Sequence, residues 1–111
     1  MVSLEKIKKI YMYSNEISFR LGIDGLTNII LSEFKEEEVE GNMYVFFSRN
    51  HKQIKIIEYD KKGTWLYQNK LYSGRFVAPN IDGTGNMQID KRQLEMIIQN
   101  IEIIDRRIRA K

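Results

Sequence analysis

The sequence predicts an α+β fold: an antiparallel meander of about four β-strands with two helices packed on one of its faces. Three observations predict it. Aromatic-rich runs at 43–48, 53–59 and 64–71 are separated by two turn-forming tetrads, Arg49-Asn50-His51-Lys52 and Asp60-Lys61-Lys62-Gly63. Phe19, Ile23, Leu26, Ile30 and Phe34 recur at spacings of three and four, which draws an apolar stripe along one side of a helix. A second stripe, Leu94, Ile97, Ile98 and Ile101, follows Asp90, and Gln93 stands three residues after that aspartate as its capping-box partner.

Taken in order, Ile10-Tyr11-Met12-Tyr13 reads as a short opening strand, closed by the turn formers Ser14 and Asn15. The first helix is expected to start from a Ser18 or Asn15 cap. Gly22 and Gly25 then fall inside it, each costing ~1 kcal/mol relative to alanine. Tight packing against the sheet accounts for such a pair, as does close approach of another backbone or a ligand. In the third run Trp65 and Tyr67 point to one face and Leu66 to the other. Gly63 is expected to supply positive φ to its hairpin turn. A loop rich in glycine and asparagine runs over 80–86, and Asn100 is expected to close the last helix in the left-handed conformation.

A chain of 111 residues suits one domain over 1–111, with a core over about 10–103 and a basic tail at 104–111. The tail carries Arg106, Arg107, Arg109 and Lys111, whereas Glu33, Glu36, Glu37, Glu38 and Glu40 form an acidic block read as a solvated helix end and loop. A net charge of +3 is modest, so any polyanion surface must come from local clustering. No apolar run approaches the ~20 residues that span a bilayer. The first residues lack the apolar centre of a secretory signal, and no cysteine is present to form a disulfide, a thiolate nucleophile or a zinc site. The expectation is a soluble cytoplasmic protein with no membrane partner.

Catalytic constellations are missing from the pattern. His51 is the one histidine and lies in a turn, so no Ser-His-Asp order and no histidine-based metal site can be assembled. Asp24, Asp60, Asp82 and Asp90 have the oxygens that Mg²⁺ prefers, yet turns and caps favour aspartate for backbone reasons at three of these four positions. Gly83-Thr84-Gly85 lacks the length and the lysine of a phosphate-binding loop. The expectation is therefore no catalytic residue, no metal and no cofactor.

What stands out instead is positive charge on an aromatic hairpin. Arg49, Lys52, Lys55, Lys61, Lys62, Lys70 and Arg75 face only Glu58 and Asp60 across the same stretch. Cations on a sheet with Trp65, Tyr67 and Tyr72 suit nucleic acid, the aromatics serving to stack bases. They also suit a structural sheet with solvated edges.

Three segments together resemble a known family. Phe19-Arg20-Leu21-Gly22-Ile23-Asp24-Gly25-Leu26 is similar to the "MRKGFDGL" signature of the TnpB accessory proteins of IS-sixty-six type insertion sequences. The run Ile54-Lys55-Ile56-Ile57-Glu58-Tyr59-Asp60, followed by Asn69-Lys70-Leu71-Tyr72-Ser73-Gly74-Arg75-Phe76-Val77-Ala78-Pro79, resembles that family's "LKILxWD" and "KRLExGRFxWP". Ile89-Asp90-Lys91-Arg92-Gln93-Leu94 is similar to its "LTxxQL". Leu21, Tyr59 and Ala78 depart from the pattern, replacing a lysine and two tryptophans. The resemblance implies a non-catalytic role in DNA transposition beside a separate transposase. It marks Arg20, Gly22, Asp24 and Gly25 on the first helix, and Lys55, Asp60, Lys70, Gly74, Arg75 and Phe76 around the sheet. The resulting expectation is a surface for DNA, the transposase or both. Its contacts are Arg20, Asp24, Arg49, Lys52, Lys55, Lys70, Arg75 and Phe76, on a frame set by Gly22, Gly25, Asp60, Gly63, Gly74 and Pro79. The alternative is a protein–protein scaffold for the transposase that never touches nucleic acid.

Overall fold

Asn42-Met43-Tyr44-Val45-Phe46-Phe47 is apolar at both parities after its first residue, and side chains along a strand alternate between faces. Such a strand needs cover on both sides. The computed structural model, which describes residues 6–34, 38–78 and 86–99 and the backbone of 101–102, supplies it. Strand β2 (Asn42–Phe47) is buried at all six positions, and β3 (Gln53–Tyr59) at its five central ones. On one face Met43, Val45, Phe47, Ile54 and Ile56 pack with Leu94 and Ile97 of α2 (Lys91–Gln99). On the other, Tyr44, Phe46 and Ile57 pack with Leu26, Ile30 and Phe34 of α1 (Ile23–Glu33) and its C-cap. The two helices thus cover opposite faces, not one, and the sheet is the middle of three layers.

Three strands form the expected meander: β2, β3 and β4 (Thr64–Lys70), antiparallel, with Ile56 opposite both Val45 and Tyr67. The sheet is larger and less uniform than expected. Its order is β4-β3-β2-β1-β6, five strands, with β1 (Lys9–Met12) parallel to β2 and β6 (Met87–Ile89) antiparallel to β1. The parallel pair follows from α1, which carries the chain across one face so that β2 re-enters the sheet in the direction of β1. A separate two-stranded ladder pairs β5 (Arg75–Phe76) with β7 (Ile101–Glu102). Among the described residues no helix is long and apolar enough to cross a membrane.

Helix α1 starts later than its stripe suggests. Gly22 is the N-cap, without a side-chain cap, and the Leu26 N–H to Gly22 carbonyl bond opens the helix. Residues 18–21 turn instead, with Leu21 N–H donating to Ser18 O at 3.1 Å. The carbonyls of Phe19 and Leu21, which a longer helix would use internally, accept from Lys55 Nζ at 2.6 and 2.7 Å. Phe19 and Ile23 consequently stay 58% and 39% exposed, while Leu26 and Ile30 are buried. Gly22 lies outside the helix in open space; a Cβ on Gly25 would meet Leu21 Cδ2 at 2.7 Å, a side chain and not a second backbone. Thr27 Oγ1 and Tyr59 Oη lie 2.8 Å apart and tie α1 to β3; burial there pushes the Tyr59 phenol up, against the Thr27 hydrogen bond.

Two local signals behave as read, each with one departure. Asp90 Oδ1 accepts from Gln93 N at 2.7 Å while Asp90 N donates to Gln93 Oε1 at 2.9 Å, a reciprocal capping box. Leu94 and Ile97 are buried, but Ile98 is 40% exposed. The 60–63 turn is held by Asp60 Oδ1, which accepts from the N–H groups of Lys62 and Gly63 at 2.7 and 2.8 Å. Gly63 needs no positive φ there; Gly74 does, at φ 82°. Pro79, Asp82, the Gly83-Thr84-Gly85 loop, Glu36, Glu37, Asn100 and the basic tail lie outside the described residues, as does the Ile101 side chain.

Candidate nucleic-acid interface

The 48–52 turn organises one end of the sheet. Asn50 Oδ1 accepts from Ser48 Oγ at 2.9 Å and from Lys52 N at 3.0 Å, and Ser48 Oγ accepts from Gln53 N at 3.1 Å. His51 takes a left-handed conformation, φ 57°, which histidine tolerates better than most residues. Its ring stacks on Phe47 at 5.1 Å, and Nε2 lies 3.3 Å from Glu16 Oε2. Two outward carbonyls of this turn then hang the next segment: Lys52 O accepts from Leu71 N at 2.8 Å and His51 O from Phe76 N at 2.7 Å. On its other flank Ile17 N donates to Phe47 O, and Ile17 bridges Ser48 in parallel.

Four separate segments are therefore drawn to one place. Arg49 and Lys52 belong to the turn itself. Lys70 closes β4 opposite Gln53, and Arg75 precedes the residue that bonds His51. Arg20 arrives with the 18–21 turn, whose carbonyls Lys55 holds. Arg20, Arg49, Lys70 and Arg75 are exposed and Lys52 is half-buried. Phe19 and Tyr72 are exposed beside them, at 58% and 106%. Residues 16–19 and 48–50 line an open groove of about 380 Å³ at this end. Lys61 and Lys62, by contrast, sit at the opposite end of β3, about 20 Å away at ~3.3 Å per residue.

Several residues read from the sequence as contacts do other things. Lys55 is only 6% exposed, because β3 is covered on both faces; its ammonium is satisfied by two carbonyls, which a buried charge requires. Phe76 is 3% exposed and belongs to the α2-side core. Trp65 donates its indole N–H to Asp60 Oδ2 at 2.7 Å, at the far end from the cations. That bond, with the Lys62 N–H second, holds the Asp60 carboxyl below its usual range. Tyr67 is half-buried and pairs with Glu58 Oε1 at 2.9 Å, a buried carboxylate that sequence reasoning missed. Asp24 is exposed in the first turn of α1, where the helix dipole favours an anion. Gly74 provides the left-handed corner between Tyr72 and Arg75, so its place on the frame is a backbone one.

The family described as IS66 Orf2-like protein, TnpB of IS66, matches residues 8–107. The chain belongs to that family. The match runs from before β1 to beyond β7, so the 48–52 turn and Arg20, Arg49, Lys52, Lys70 and Arg75 lie within it. An uncharacterised protein of Sinorhizobium fredii, y4hO, is 28% identical over 94 residues, covering 85% of this chain and 81% of that protein. A second from the same organism, y4jC, is 21% identical over 94 residues, covering 85% and 80%. No solved structure matches. Membership gives this IS66 Orf2-like chain a transposition-associated accessory role.

Proposed function

We propose that the chain is a non-catalytic accessory protein of transposition that binds DNA through the cationic end of its sheet. What supports this reading most is the convergence of Arg20, Arg49, Lys52, Lys70 and Arg75, from four segments, around one hydrogen-bonded turn. Folding does not require like charges to gather, and such a gathering suits a phosphate backbone. Glu16, beside the turn, is engaged by His51. The transposase of the same element is the second partner the family suggests. The outer side of α1, with Leu31 64% exposed, offers apolar contact away from the cations.

A filter-binding titration with the element's terminal repeats tests the DNA reading. If four phosphates are engaged, log K should fall with log salt at a slope of about −3.6 on duplex. That is a loss on the order of 100-fold between 50 and 200 mM salt. Absent binding, or binding indifferent to salt, removes the DNA reading. Co-purification with the transposase that survives Lys70→Ala with Arg75→Ala but is lost on Leu31→Asp would favour the scaffold instead.

A further inference from the structure

Resting on the reading that this end binds DNA, we propose that its preferred ligand is single-stranded nucleic acid, with Tyr72 and Phe19 as stacking platforms for unpaired bases. Three aromatic side chains are strongly exposed: Phe19, Trp65 and Tyr72. Trp65 has a structural reason to be where it is, since its N–H bonds Asp60 and its ring lies parallel to Tyr67 at 6.4 Å. The other two have none. Tyr72 is fully in water, and its hydroxyl meets no partner among the described residues.

Both unexplained rings flank the 48–52 turn. Phe19 lines the groove with Ser48 and Arg49. Tyr72 follows Leu71, whose N–H bonds Lys52, and precedes the left-handed corner at Gly74. Aromatic faces set between cations hold a strand by its bases and its phosphates together. Bases within a duplex are stacked on one another and offer no free face, so these rings add nothing to duplex binding. Among the described residues no basic helix stands ready to enter a groove at this end either: α1 begins with Asp24 in its first turn.

Fluorescence anisotropy separates the possibilities, using a labelled mixed-sequence single strand, its duplex, and an abasic strand with the same number of phosphates. The single strand is expected to bind more tightly than the abasic strand by about fivefold or more, the worth of one base stack. Tyr72→Ala should remove most of that difference and Tyr72→Phe restore it, with the salt slope unchanged in both; Phe19→Ala should act in the same sense. Neither ring packs in the core, so both variants are expected to melt with the parent. Equal binding of single and abasic strands overturns the stacking proposal while leaving DNA binding intact. So does tighter binding of the duplex, or indifference to both alanine variants. Salt-sensitive binding to none of the three probes removes the underlying DNA reading and this proposal with it.

Discussion

Lys55 separates structural from interfacial charge, and Lys55→Met is the substitution that tests the distinction. Methionine keeps most of the stem while removing the ammonium and its bonds to the carbonyls of Phe19 and Leu21, at 2.6 and 2.7 Å. Each bond from a charged donor is worth ~1.5–3 kcal/mol, and relief from desolvating the buried ammonium offsets part of their sum. A net loss of about 2 kcal/mol is expected. For a chain of this size that lowers the melting temperature by about 8 °C, at ~4 °C per kcal/mol, read by circular dichroism. The salt slope of DNA binding should stay within error of the parent once the protein is folded. A Lys55→Met protein that melts with the parent yet loses about one unit of slope would place the ammonium on phosphate and refute the reasoning.

The two ends of the sheet should behave oppositely: Lys70→Gln and Arg49→Gln each reduce the salt slope by about one unit, whereas Lys61→Gln with Lys62→Gln leaves it unchanged. Gly74→Ala puts a side chain at φ 82° and should cost about 1–2 kcal/mol in a urea titration; an unchanged midpoint would mean that the corner relaxes freely. Asp60 has a depressed folded pKa, so its contribution is present above the ordinary value of 3.8 and lost as pH falls through the lower folded value. The emission of Trp65, the one tryptophan, should therefore change below about pH 3.8 and cease to titrate in Asp60→Asn.

The meander and the last helix were legible because their signals are local. The turn tetrads and the Asp90–Gln93 pair act over three or four residues and need no knowledge of the rest of the chain. The placement of the helices was misread as one face, although the double parity of Met43/Val45/Phe47 and Tyr44/Phe46 demands cover on both. The start of α1 was not legible, because a lysine 34 to 36 residues distant claims the carbonyls that would extend it. That same lysine stands in an apolar run, Ile54-Lys55-Ile56-Ile57, where a charge on a doubly covered strand points to an internal partner. Phe76 was misplaced because two-residue β5 has no periodicity to reveal its face. The placement of these cations at one end could not be read either: Arg20, Arg49, Lys70 and Arg75 are brought there only by the pairings of Ile17, β3 and β4, the Lys55 bonds and the carbonyls of the 48–52 turn.

The two hairpin bends of the sheet differ in what depends on them. The bend at 60–63 closes on its own aspartate and tryptophan, whereas the one at 48–52 suspends residues 71–76 from its carbonyls. Lengthening the first disturbs only itself, which makes it the place to graft a fluorophore or an affinity tag. Adding even one residue to the second would displace Tyr72 and Arg75 together, so natural length variation in this lineage should concentrate at the former and spare the latter.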